Sequence, residues 1–203
     1  MCVDSAKKKI AKILIRRKIK EFLATLILVF ILSGNIFAES RDKNDMLNEL
    51  FEQLKKNNNV SIAFGIEMKI WSIWSIHPTD ENLTKLLANG SVLMTEGKFE
   101  AAYKVFSTII VSSPEWAEAW NKRATVLYLM GRYQDSLKDI DEVLKRESRH
   151  FGALSGQGLV ETKLENYEKA IKSYQAAQKI YPSIKSATIM IPQLEELIKG
   201  SAI

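Results

Sequence analysis

Three successive stretches of the chain, Leu83 to Trp116, Ala117 to His150 and Phe151 to Ile184, superpose at a spacing of 34 residues without an insertion. A period of that length means that one supersecondary unit is repeated and that neighbouring units bury one another's apolar faces. The columns agree in residue character. The fourth holds Leu86, Trp120 and Leu154, the eighth Gly90, Ala124 and Gly158, and the seventeenth Phe99, Tyr133 and Tyr167. Ala102, Ser136 and Ala170 follow, then Phe106, Ile140 and Tyr174, then Ile109, Val143 and Ala177, and lastly Pro114, Ser148 and Pro182. The apolar positions recur at helical spacing. The eighth column stays small because two helices cross there, although Gly costs a helix interior about 1 kcal/mol relative to Ala. Gly97 and Gly131 supply the turn inside the first two copies, and Glu165 stands at that place in the third.

This pattern resembles the tetratricopeptide repeat, a 34-residue helix-turn-helix unit. Ser136 and Ser148 depart from the usual Ala and Pro of those columns. The resemblance implies an all-α fold, an α-solenoid of antiparallel helix pairs, over residues 81–184, with repeats at 83–116, 117–150 and 151–184. Helices are expected over roughly 81–95, 99–112, 115–129, 133–146, 149–163 and 167–180, with Ser113 capping the third of these ahead of Pro114. Residues 39–80 read as a degenerate helical hairpin: Leu47, Leu50, Phe51 and Leu54 stripe its first arm, and Ala63, Ile66, Ile70, Trp71, Ile73 and Trp74 its second, with Asn57-Asn58-Asn59 between. Terminal units of a stack cover exposed apolar faces, so residues 185–203 suit a capping helix and tail, kinked or restarted at Pro192.

Residues 1–38 form an address. Eight basic side chains against Asp4 and Glu21 precede an uncharged run from Phe22 to Leu32, followed by Ser33-Gly34-Asn35-Ile36-Phe37-Ala38. The order basic, apolar, helix-breaking, small is that of a secretory signal peptide cut after Ala38. Ile36 stands where a small residue is preferred, which leaves an uncleaved N-terminal anchor as the alternative. A spanning helix needs about 20 apolar residues, whereas this run, extended to Ala38, has 17 and includes Ser33, Gly34 and Asn35. In both cases the basic flank stays cytoplasmic, which puts the rest of the chain in the periplasm, free or tethered to the inner membrane. The leader carries more than the chain's whole net charge of +5, so nucleic-acid binding lacks its electrostatic footprint.

Catalysis finds little support. Cys2, the single cysteine, lies in the leader, and the two histidines, His77 in a turn before Pro78 and His150 at a helix start, read as solvated. There is no GxxxxGK loop, GxSxG elbow or HExxH pair, and neither a metal nor a cofactor is expected. Asp139, Asp141 and Glu142 lie among Lys138, Lys145 and Arg146 and read as a charged outer face. Trp71, Trp74 and Trp120 read as packing residues rather than a ligand cage.

Stacked helix pairs curve, and the first helix of each pair lines the inner surface. In the family this chain resembles, that surface holds extended peptides or partner helices. The inner positions give Leu87, Ser91 and Met94 in the first copy, Asn121, Thr125, Tyr128 and Leu129 in the second, and Ser155 and Leu159 in the third. The expected function is therefore non-catalytic binding of a segment of another envelope protein, by a periplasmic module or by a membrane-anchored structural subunit. A lysine, asparagine and arginine clamp for a terminal carboxylate is not expected, because Leu87, Ser91, Ser155 and Leu159 occupy the places such residues would need. The surface could also be filled by the chain's own terminal elements.

Overall fold

A computed structural model of the chain describes residue 18 and residues 43–201. The expected leader lies outside the described residues, apart from Lys18. The chain divides into two compact units, residues 1–45 and 46–203, and the second carries the architecture. Among the described residues there are nine helices and no strand: α1 (residues 43–56), α2 (Val60–Trp74), α3 (Glu81–Thr95), α4 (Phe99–Ser112), α5 (Ala117–Leu129), α6 (Tyr133–Arg146), α7 (Phe151–Lys163), α8 (Tyr167–Ile180) and α9 (Lys185–Ser201). The fold is the all-α helical solenoid expected from the repeat. None of the described helices is long and apolar enough to cross a membrane.

Each hairpin turns in the same way. At the end of α3 the Lys98 amide donates to Leu93 O (2.9 Å) and the Gly97 amide to Met94 O (3.1 Å), and Gly97 sits at φ +74°. The pattern repeats at Arg132 and Gly131 and again at Asn166 and Glu165. This is the Schellman arrangement, which satisfies the last helical carbonyls by turning one residue left-handed. Glu165 does so at φ +60° without being glycine.

The helices of each pair then cross where the small column lies. A Cβ on Gly90 would stand 2.6 Å from the Phe106 ring, and one on Gly158 would stand 2.8 Å from Tyr174. Two of the largest fully enclosed side chains therefore occupy the room that the missing methyl groups leave. In the middle repeat Ser136 is fully buried and its hydroxyl donates to Ala124 O at 2.8 Å, which explains why this departure from the small apolar column is tolerated.

One expectation is corrected. Ser113 does not cap α5: it ends α4, and α5 begins only at Ala117 after an extended Trp116. Trp116 is held there because its indole N–H donates to Trp74 O at 2.9 Å. Of the two outcomes expected at Pro192, a kink or a restart, the restart does not occur: α9 runs on through it. Trp120 is a packing residue as expected, half-buried against the cores of the first two repeats, its indole N–H on Pro114 O and its ring 5.0 Å from the guanidinium of Arg123 and 4.9 Å from that of Arg146.

Residues 46–56 and α2 do form a helical hairpin, with Asn59 capping α2 by accepting from the Ser61 and Ile62 amides. Its stripe packs on the third repeat. Leu47, Leu50, Phe51, Leu54, Ala63, Ile66, Ile70 and Trp74 share one buried core with Phe151, Leu154, Tyr174, Tyr181 and α9's Ala187 and Leu194. The first repeat is served by a separate core around Phe106, Ile109 and Trp116.

Candidate functional site

The concave groove of a repeat stack is built from the first helices, here α3, α5 and α7. Its half nearest the start of those helices is occupied by α2. Trp74 stacks flat on His150, with ring centroids 4.0 Å apart and planes 9° apart. Trp71 packs edge-on against Phe151 at 5.6 Å, and its benzene edge lies 2.6 Å from where a Cβ of Gly152 would be. Gly152 is an inner position of α7 at which the repeat does not demand glycine. It admits the indole, and it was the one sequence signal of this docking. Arg149 closes the far side through Asn48 Oδ1 at 2.7 Å and the face of Phe51 at 4.3 Å.

Beneath Trp74 lies a buried polar cluster that the sequence reading missed. His150 is not solvated: it is wholly buried. Its Nδ1 accepts the Ala153 amide at 3.0 Å, capping α7, so the ring hydrogen sits on Nε2 and donates to Glu118 Oε2 at 3.2 Å. Asn121 Nδ2 donates to the same oxygen at 3.1 Å, and Lys122 Nζ lies 3.2 Å from Oε1. Burial pushes the Glu118 carboxyl up, but the His150 hydrogen bond and the charge of Lys122 outweigh it and hold the group below the usual carboxylate range. The cluster ties the start of α7 to α5 across the repeat boundary. Glu118 and His150 are enclosed, and Glu118 Oε1 has only the ion pair with the partly exposed Lys122 to balance it, which makes the cluster a structural device.

The nine inner residues expected from the sequence do not form a single open surface. Leu87 is buried in the first core, and Asn121 is committed to Glu118. Ser91 donates to Leu87 O, and Ser155 pairs with Ser186 of α9 at 2.9 Å. What remains accessible lies toward the ends of the helices: Thr125, Leu129 (44 % exposed) and Leu159 (37 %), with Tyr128 and Met94 half-buried. A small recess of about 70 Å³ between α5 and α7 lies along Thr125, Tyr128, Gly156 and Leu159. It shares Gly156 and Leu159 with an apolar cleft of about 440 Å³ that α9 walls with Ile189 and Met190. The accessible inner residues carry no charge, and Lys185 is the one charged side chain lining the α9 cleft. Among the described residues no three His, Cys, Asp or Glu side chains converge as a metal site would require.

A series of antiparallel helix pairs with a small-residue crossing, a Schellman turn and a concave inner face defines a class: helical repeat proteins whose inner surface serves other proteins. The family model for the tetratricopeptide repeat matches residues 87–139 and 122–183. A TPR repeat-containing protein of Rhizobium etli is 31% identical over 171 residues, covering 82% of this chain and 83% of its own length. The chain belongs to the tetratricopeptide repeat family, whose members are typically non-catalytic interaction modules. Solved structures agree in fold. The Sgt2 TPR domain of Aspergillus fumigatus aligns with a TM-score of 0.58 at 14% identity, over 61% of this chain and 83% of that one. The first TPR of Spaghetti (RPAP3), bound to the HSP90 peptide SRMEEVD, aligns with a TM-score of 0.56 at 17% identity, over 58% of this chain and 93% of that one.

Proposed function

We propose that this protein is a non-catalytic adaptor of the bacterial periplasm that binds an apolar segment of another envelope protein in the part of the concave groove its own hairpin leaves open. The observation that carries this reading is the mainly apolar surface from Thr125, Tyr128 and Leu129 through Leu159 to Ile189, with exposed aliphatic side chains, two adjoining recesses and Lys185 as the one charged side chain lining them. Exposed apolar surface rimmed by polar residues is the usual mark of a protein contact. The groove supplies no cationic clamp, so an acidic peptide tail of the kind bound in the RPAP3 structure is a poor match. Export rests on the basic-apolar-small order of residues 1–38.

Photocrosslinking in intact cells tests both parts. A crosslinking side chain at Leu129 or Leu159 should trap one discrete envelope partner, and the same group at Val111, exposed on α4, should trap none. Equal labelling at the three positions would remove the groove from the account. The mass of the purified chain reads the other half: loss of residues 1–38 marks a free periplasmic module. Retention marks an anchored subunit, the alternative that Ile36 supports.

A further inference from the structure

We propose that the cleft between α2 and the third repeat is a binding site for an organic ammonium group, of the kind carried by a lysine side chain or a free alkylammonium ion. The cleft has a volume of about 540 Å³ and adjoins the α9 cleft, with which it shares Ser155, Lys185 and Ser186. Phe64, Trp71, Phe151 and Tyr181 line it, and Glu67 is its only carboxylate. Phe64 and Trp71 are its accessible rings, while Phe151 and Tyr181 are almost fully buried in its wall. An acid among aromatic rings suits a desolvated cation, because ring faces carry negative potential and the carboxylate supplies the compensating charge.

The arrangement of Glu67 narrows the class of cation. The Trp71 indole N–H already donates to Glu67 Oε1 at 3.3 Å. The Tyr181 hydroxyl leans on the same carboxylate, and burial together with Glu67 pushes that phenol up to about 12, so it keeps its proton and its donor role. A carboxylate engaged in this way cannot offer two free parallel oxygens to a guanidinium fork, whereas an ammonium needs a single contact. Lys122 shows that the neighbourhood accepts such a group: its Nζ lies 5.8 Å from the Trp71 ring centre. Phe64 is 57 % exposed on α2 with no packing duty in the core, and a side chain entering the cleft would cover it. Lys185, at the start of α9, also lines the cleft and opposes a second positive charge beside it, which favours entry from the α2 side.

The test uses the full chain labelled with ¹⁵N and follows the Trp71 indole resonance, identified by its disappearance in Trp71→Phe. Titrants are Nα-acetyl-lysine N-methylamide, its norleucine and arginine counterparts, and tetramethylammonium. A saturable shift with the lysine compound and none with norleucine is expected. Glu67→Gln, which keeps an oxygen for the indole, should weaken binding about tenfold, and Phe64→Ala several-fold, both at unchanged melting temperature. Lys185→Gln should tighten it. If tetramethylammonium binds more tightly than the lysine compound, the natural ligand is a free cation. The reverse order assigns the cleft to a lysine of a bound segment, and only that branch rests on the groove reading above. Norleucine binding as well as lysine, preference for the arginine compound, or an unmoved resonance throughout would overturn the proposal. Photocrosslinking at Leu129 and Leu159 is unaffected by any of these results, so the two readings fail separately.

Discussion

Single residues carry the strain and the charge of this fold. Glu165 adopts the left-handed backbone that Gly97 and Gly131 adopt in the earlier copies, and a side chain with a Cβ raises the energy of that region by about 1 kcal/mol. Glu165→Gly should therefore stabilise the protein by about that amount, read as a higher urea midpoint at unchanged slope. Glu118 is different, because its carboxylate is buried and its proton affinity is lowered by His150 and Lys122 against the effect of burial. A group whose folded-state pKa is depressed contributes stability above its unfolded pKa and loses it as the pH falls through the folded value. The contribution of Glu118 should thus be complete above about pH 4.5 and disappear below it. Glu118→Gln should lower stability at pH 7 and flatten the acid limb, measured by urea unfolding from pH 7 down to 3. An acid limb as steep in the variant as in the parent would remove Glu118 from the cause.

At the scale of helices, the same residue type has opposite consequences in two elements. Gly90 in α3 lies against Phe106 with no room for a methyl group, whereas Gly65 in α2 has nothing within 4 Å of its ideal Cβ. Gly90→Ala should destabilise by about 1–3 kcal/mol through overpacking. Gly65→Ala, on an exposed helical surface, should stabilise by up to about 1 kcal/mol through reduced backbone freedom in the unfolded chain. Paired thermal melts decide it, and equal effects at both positions would mean that the α3–α4 crossing is looser than 2.6 Å implies. Helix ends follow the same logic. The Schellman turns were legible in Gly97 and Gly131 because only the turn asks for glycine there. The start of α5 was not legible: Ser113-Pro114 looks like a cap locally, but the Trp116 indole is anchored on Trp74 O and the helix begins three residues after Pro114.

For the second unit, the decisive contact is the hairpin of residues 46–56 and α2 laid across the groove. Trp74 is its pin: it stacks on His150, it touches Phe51 and Phe151, and its own indole N–H is buried without an acceptor. Trp74→Phe retains an aromatic face and discards the unpaired donor, so its melting temperature should stay within a few degrees of the parent. Trp74→Ala should cost about 3–5 kcal/mol and expose the Asn57-Asn58-Asn59 turn and residues 75–80 to limited proteolysis while the protease-resistant repeats persist. Uniform loss of resistance along the chain would show that hairpin and repeats form one cooperative unit. The repeat itself was readable from residue spacing, since each unit of a stack contacts its immediate neighbours and the rule that joins one pair to the next is local and recurs every 34 residues. Where the hairpin would go was not, although its apolar stripes were plain. Stripes such as Ile66, Ile70 and Trp74 state that a face must be covered, and hydrophobic burial has no direction. The choice of the third repeat over the first was made by shape at long range: the missing side chain of Gly152, the flat face of His150 and the reach of Arg149 to Asn48 exist as a single surface only after the chain has folded.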